Sequence, residues 1–184
     1  MNYLKPKVLC TLLVFLSVIT LSFTSCSKDD SVTPNYYGSW NQSFTQTYNN
    51  PVNNQVISSQ YKETLTFSKT GFIAFVQFYN PSSKVWIDES KESGTFTVTN
   101  NTMNFKVTAI GVSTSNVQTG YPTGTITMNQ EGSAEFASYY AASGTPTTFS
   151  YVYSVSDNKL SLMQDLNGDG VYTGTNETSV FTKQ

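Results

Sequence analysis

The sequence predicts an all-β domain, an antiparallel up-and-down meander that closes into an eight-stranded barrel. The chain holds 12 Phe and 12 Tyr among its 184 residues, and β-branched and aromatic residues of this kind pack well on pleated surfaces. Strand-like runs recur at short spacing, and tight turn signals join nearly all of them. A closed barrel accommodates such a meander without exposed sheet edges.

Alternating apolar and polar residues predict most of the strands. In the first strand, Trp40 and Phe44 share one face, whereas residues 72–79 are apolar on both faces and belong to a central strand or lie against a partner. In chain order, the predicted strands are 38–48, 61–67, 72–79, 86–98, 102–110, 148–155, 160–164 and 178–183. Residues 112–146 are less regular. There we predict a strand over 124–128 and, over 135–142, either a short helix or an irregular lid.

The amino-terminal segment has the features of a targeting signal. Lys5 and Lys7 precede the uncharged, mostly apolar run 8–23, which is short for a bilayer span of about 20 residues. Residues 1–25 are therefore predicted to be a signal peptide.

The end of this segment, 23–26 (FTSC), resembles the bacterial lipobox, with small residues directly before Cys26. The resemblance implies cleavage after Ser25, lipidation of Cys26, and a lipoprotein held on a membrane by acyl chains such as palmitate. An ordinary cleaved signal or an uncleaved anchor is the alternative.

Residues 26–35 are predicted to be the acylated cysteine and a tether, and residues 36–184 the barrel domain. The stretch 27–30 (SKDD) resembles a signal that carries lipoproteins to the outer face of the outer membrane. We therefore expect an outer-membrane location, with exposure at the cell surface. A plain charged tether would give the same composition.

Composition excludes several classes of function. After residue 25 the chain has 8 lysines, no arginine and 12 acids, a balance of −4, so a basic nucleic-acid footprint is absent. Histidine is also absent, and Cys10 and Cys26 both lie outside the predicted domain. Ser-His-Asp and Cys-His catalysis and the usual zinc sites are thereby excluded. An enzyme would depend on carboxylates, lysine or tyrosine, and we expect no enzyme.

The domain resembles the lipocalin-like (calycin) domains of bacterial lipoproteins. Gly38, Ser39 and Trp40 match the Gly-x-Trp that opens the first lipocalin strand. Segments 65–72 (LTFSKTGF) and 94–98 (GTFTV) resemble two later hairpins. The family implies a barrel closed at the Trp40 end and open at the other, over a small apolar ligand. Its last strand carries an arginine that packs on the tryptophan, and Lys183 is the nearest equivalent here.

A loop near the carboxyl terminus resembles the first half of a calcium loop. Oxygen-bearing side chains at Asp165, Asn167 and Asp169 precede a glycine, the Val171 carbonyl would follow, and Glu177 falls one position late. Calcium is therefore a candidate cofactor. A polar hairpin loop, rich in Asn, Asp and Gly for its turns, is the competing interpretation.

Two acids of the fourth strand form the other candidate site. With unbroken alternation, Asp88 and Glu92 share the face of Phe96 and point into the barrel. A bulge at 93–94 would instead turn both to solvent, and we favour the bulge because unpaired buried carboxylates are costly.

Three functions remain open. The first is a membrane-anchored barrel that binds a small apolar or amphipathic molecule. The second is a structural or interaction lipoprotein with a filled barrel, accessory to an envelope complex. The third, a carboxylate-dependent hydrolase, would need paired inward carboxylates with raised pKa values.

Overall fold

Nine strands and one helix make up the described part of the chain. The computed structural model describes residues 33–49, 56–115, 121–166, 168, 170–172 and 177–184. In that part, no helix is long and apolar enough to cross a membrane. The elements are β1 Gly38–Asn49, β2 Val56–Ser68, β3 Gly71–Asn80, β4 Val85–Thr99, β5 Thr102–Val112, β6 Asn129–Gln130, α1 Ala134–Ser143, β7 Thr148–Ser156, β8 Lys159–Met163 and β9 Thr178–Lys183.

Eight of these strands close into an antiparallel barrel. The order around the barrel is β4-β3-β2-β1-β9-β8-β7-β5, and pairing of β4 with β5 completes the ring. Strand β6 pairs only with Ala109 and Ile110, at the far end of β5. The predicted fold class is therefore confirmed: neighbours in sequence are neighbours in the sheet, as in a meander.

The core fills the barrel from the Trp40 end. Residues paired across antiparallel strands share a face, so Trp40 and Leu65 both point inward. Trp40 is fully buried, and its indole N–H donates a 2.8 Å hydrogen bond to the Tyr36 carbonyl. The buried core cluster comprises Trp40, Leu65, Phe67, Phe72, Met103, Phe105, Val107, Ile110, Phe136, Leu160, Leu162 and Phe181.

The Trp40 end is closed as the family resemblance implies. Tyr36 packs edge-on against Phe67, Phe96 and Tyr153, which belong to three different strands. The Lys183 ammonium lies 5.2 Å from the centre of the Trp40 ring, so this lysine occupies the place predicted for it.

The irregular region between β5 and β7 contains an extended segment on the outside of the barrel, followed by the helix α1. The predicted strand over 124–128 is wrong: these residues run without strand pairing along the outside, and only the two residues of β6 pair with β5. Ile126 and Met128 lie against Gly111, where the close approach leaves no room for a side chain. The helix is confirmed as α1, capped by Ser133 and ended by Gly144 in the left-handed conformation.

Two bulges decide which side chains enter the barrel. Between β3 and β4 the register shifts so that Glu89 is the extra residue of β4. Between β4 and β5 it shifts at Ser93 and Gly94, but the extra residue there is Thr108 of β5. Strand β4 therefore alternates without interruption from Ser90 to Val98, because a bulge changes the facing only of the strand that carries the extra residue.

Candidate functional site

A cavity of about 190 Å³ lies inside the barrel beyond the filled core. Its wall combines aromatic rings with two carboxyl groups. The lining residues are Glu63, Leu65, Phe72, Ala74, Glu92, Phe105, Phe149, Tyr151, Leu162, Ser179 and Phe181. They come from β2, β3, β4, β5, β7, β8 and β9, so the cavity exists only because the sheet closes.

The two glutamates of this cavity are each held by one neutral donor. The Gln42 amide donates a 2.7 Å hydrogen bond to Oε2 of Glu63, its partner in the β1–β2 register. The Tyr140 hydroxyl, on helix α1, donates a 3.2 Å hydrogen bond to Oε1 of Glu92. Within the described residues, no lysine forms an ion pair with either carboxyl group.

The favoured interpretation of Asp88 and Glu92 was wrong for Glu92. The Glu89 bulge separates the two acids, so Asp88 faces outward, where its carboxylate accepts a 2.9 Å hydrogen bond from Gln77. Glu92 follows the unbroken alternation of β4 into the barrel. The shift at Ser93 and Gly94 exists, but it does not turn β4, since its extra residue lies on β5.

Burial raises the pKa of both interior carboxyl groups. For Glu63, loss of water raises the pKa, the Gln42 hydrogen bond opposes the rise, and the negative charge of Glu92 adds to it. For Glu92, burial again raises the pKa and the Tyr140 hydrogen bond opposes the rise. Burial and then the charge of Glu92 raise the pKa of Tyr140, so its hydroxyl keeps its proton and remains a donor.

The two carboxyl groups face the same cavity, and burial raises the pKa of each. A carboxylate-dependent hydrolase was expected to need such a pair. The charge of Glu92 adds to the rise at Glu63, so the two groups interact. The expectation that the protein is not an enzyme stays a prediction.

A second cavity, of about 340 Å³, lies at the end of the barrel opposite Trp40. It is lined by Ile57, Ser58, Ser59, Gln60, Tyr61, Phe78, Tyr79, Pro81, Glu89, Ser115, Tyr121 and Pro122. Rings of Phe44, Tyr61, Phe78 and Tyr121 follow one another at 5.2–5.8 Å between centres. Tyr61 and Glu63 are successive inward residues of β2, about 7 Å apart along the strand, so the two cavities are neighbours.

The predicted calcium loop is described in part. Both carboxylate oxygens of Asp165 accept backbone hydrogen bonds, 2.7 Å from Gly168 and 2.9 Å from Gly170. Glu177 is buried, with 3% of its surface exposed, and its carbonyl accepts a hydrogen bond from the Gln164 amide. Val171 is exposed.

Asn167 and Asp169 lie outside the described residues, so the full donor set of the loop stays a prediction. In the part that is described, no three acidic or thiol groups converge on one point. The hydrogen bonds from the Gly168 and Gly170 amides show that Asp165 organises the loop. A calcium ligand and a turn residue can both have this role.

The fold and the interior define an eight-stranded antiparallel barrel with a small, acidic, aromatic-lined cavity. The chain matches no protein-family model and no curated protein. The resemblance to lipocalin-like domains thus rests on the barrel, the Trp40 end and the Lys183 contact. Cys26 and the other residues before Thr33 lie outside the described part, so lipidation stays a prediction.

Glu63 is the site residue that sequence reasoning missed. The alternation of β2 places Tyr61, Leu65 and Phe67 on one face, and Glu63 belongs to the same series. An acid within a series of aromatic and aliphatic residues on one face was thus a visible signal. Tyr140 carried no such signal, because its approach to Glu92 depends on how α1 docks, 48 residues along the chain.

Proposed function

We propose that this protein is an envelope lipoprotein whose barrel binds a small amphipathic molecule. In this proposal, acyl chains on Cys26 hold it on the outer membrane, with the barrel exposed at the cell surface. The ligand enters through the end opposite Trp40 and places its polar group beside Glu63 and Glu92.

The observation that carries the proposal is the inner cavity. Ligand sites are typically concave, mostly apolar and equipped with a few convergent polar groups, which describes this wall of five aromatic rings and two carboxyl groups. Two acids at such a place cost folding free energy unless something compensates them. A bound molecule with a polar group supplies that compensation.

Cavity size limits what can be bound. Drug-sized ligands occupy about 300–1,000 Å³, and the inner cavity, at about 190 Å³, is smaller. Only a small molecule, or the polar end of a longer one, fits beside the glutamates. The cavity of about 340 Å³ next to Tyr61 offers room for the remainder.

A filled structural barrel is the second candidate. The half of the barrel around Trp40, Met103 and Leu160 is closed by its own side chains, each of them fully buried. A partner protein rather than a small molecule would then be the functional contact, as for an accessory subunit of an envelope complex.

Native mass spectrometry distinguishes the two candidates. The chain would be expressed in a Gram-negative host, purified as the host processes it, and sprayed under mild conditions with and without a calcium chelator. We expect a reproducible added mass of a small organic molecule. A bare chain mass would favour the filled barrel.

The same spectra test the calcium prediction. A calcium-sized adduct that disappears with chelator, and that Asp165→Ala also removes, would make the 165–177 loop a metal site. Equal masses with and without chelator would leave Asp165 as a turn residue. The organic ligand and the metal give separate masses, so each result stands alone.

The anchor is tested by Cys26→Ser. We expect the wild-type chain to fractionate with membranes and to shift upward in mass by its acyl groups. The variant, without the sulfur that receives diacylglycerol, should lose these groups. A Cys10→Ser variant is the matched control and should behave like wild type. An unacylated wild-type chain would contradict the lipoprotein assignment.

A further inference from the structure

The two interior glutamates face one cavity from strands that flank the same neighbour. Glu63 lies on β2 and Glu92 on β4, with β3 between them. The inward residues of β3 at this level are Ala74, in register with Glu92, and Val76, in register with Glu63. Ala74 lines the space that both glutamates face, and it has the smallest side chain of that wall.

Each carboxyl group keeps acceptor capacity toward that space. Gln42 reaches Oε2 of Glu63 and Tyr140 reaches Oε1 of Glu92. Within the described residues, no donor contacts the second oxygen of either group. An ionised carboxylate accepts about four hydrogen bonds in all, so both groups are far from saturated.

The described lining of the cavity also brings no positive charge. The described residues that line it include no lysine, and the nearest basic residues in sequence, Lys62 and Lys91, alternate to the outside. Both glutamates are partly buried, and negative charge without a countercharge is unfavourable where burial removes water. A cationic ligand would supply both the charge and the missing donors.

The composition of the cavity wall indicates which kind of cation fits. Aromatic faces attract ammonium groups, and Phe72, Phe105, Phe149 and Tyr151 all border the cavity. Calcium sites commonly draw on several carboxylates, and within the described residues no three acidic side chains converge on one point. A cavity of about 150 Å³ already holds benzene, so about 190 Å³ suits an ammonium group with a short apolar substituent.

We propose that the ligand of this barrel is a small amine, bound as its ammonium ion between Glu63 and Glu92 with its apolar part against the aromatic wall. This inference rests on the proposed binding function and names its chemical class. The ammonium donates to the free carboxylate oxygens, while Gln42 and Tyr140 hold the two carboxyl groups in place.

A matched pair of probes tests the charge requirement. Calorimetry would compare 2-phenylethylamine with 2-phenylethanol on the protein as its host processes it, in lipid nanodiscs at pH 7.5. We expect the amine to bind at least about tenfold more tightly, because two charge-assisted hydrogen bonds replace neutral ones. Equal binding of the alcohol would overturn the inference and leave the binding function intact.

Two variants test whether the preference for the amine over the alcohol depends on the two glutamates. In the nearly isosteric double variant Glu63→Gln and Glu92→Gln the preference for the amine should disappear. Glu131→Gln, a surface acid paired with Lys106 at 3.0 Å, is the matched control and should keep it. A double variant that still prefers the amine would overturn the site.

If the double variant fails to fold, a measurement on the wild-type protein alone still tests the inference. The preference for amine over alcohol should shrink as pH falls from 7.5 toward 4.5, since both carboxyl groups then take up protons. A constant ratio would overturn the inference. If neither probe binds while native spectra show a neutral bound compound, the amine is excluded but binding stands. If neither probe binds and the native spectra show a bare chain mass, both the amine proposal and the binding proposal fail.

Discussion

Tyr36, just before the first strand, closes the Trp40 end of the barrel. Its carbonyl accepts the indole hydrogen bond of Trp40, and its ring contacts those of Tyr37, Phe67, Phe96 and Tyr153 at 5.1–6.4 Å between centres. Edge-on ring contacts of this kind stabilise beyond the area that they bury. One half-buried side chain thereby ties the entry of β1 to β2, β4 and β7.

Tyr36→Ala should lower the free energy of unfolding by about 2 kcal/mol, somewhat less than truncation of a fully buried aromatic residue. Tyr36→Phe is the control, and it should stay within about 0.5 kcal/mol of wild type because the ring contacts remain. Urea denaturation followed by tyrosine and tryptophan fluorescence measures both. Equal stability of the alanine and phenylalanine variants would show that the ring does not close this end.

Helix α1 links the covering segment to the site. Phe136 and Tyr140, four residues apart, lie on one face and pack together at 4.9 Å between ring centres. Phe136 enters the core cluster, and Tyr140 packs against that cluster and reaches Glu92. Ser133 caps the helix by accepting a hydrogen bond from the Phe136 amide. A short helix is thus positioned by its cap and by one buried ring.

The elements that sequence reasoning predicted are those with a regular period. Alternation with a period of two predicted most strands of the barrel, since most have one buried face. Residues 72–79, apolar on both faces, proved to border a covering segment: Ile73 and Phe75 share an outer groove with Ile126 and Met128. That segment itself, at 121–130, has no clear period, and the strand predicted at 124–128 was wrong for that reason.

Much of the site depended on features without a sequence signature. The Glu89 bulge is one residue long, yet it decides that Asp88 faces out while Glu92 faces in. The sequence predicted the bulge at Ser93 and Gly94, but not that its extra residue is Thr108, on the next strand. Register is a property of two strands together, so alternation within one strand determines facing only as far as the nearest bulge.

At the scale of the whole molecule, the barrel is filled at one end and hollow toward the other. Around Trp40 the interior is closed by aromatic and aliphatic side chains, as in a structural core. Around Glu63 and Glu92 it holds carboxyl groups that a core optimised for stability would replace with apolar side chains. Under the proposed binding function, part of the folding stability is given up for recognition.

The two carboxyl groups inside the barrel predict an unusual dependence of the free energy of unfolding on pH. Burial raises the folded-state pKa values of Glu63 and Glu92 above the ordinary 4.5, so the folded barrel binds more protons than the unfolded chain at intermediate pH. The free energy of unfolding therefore falls as pH rises. Their contribution to stability is fully present below pH 4.5 and is lost as pH rises through the folded-state pKa values.

Urea denaturation of the ligand-free chain between pH 4 and pH 8 measures this slope. The double variant Glu63→Gln and Glu92→Gln removes both titrations, so its stability should change less with pH than that of wild type. Glu131→Gln removes one acidic charge at the surface and shows how much general repulsion among the acids contributes per charge. A wild-type stability that rises with pH through this range would mean that the folded barrel holds these carboxyl groups ionised and paired. The interior would then be closer to a satisfied ion network than to an empty binding site.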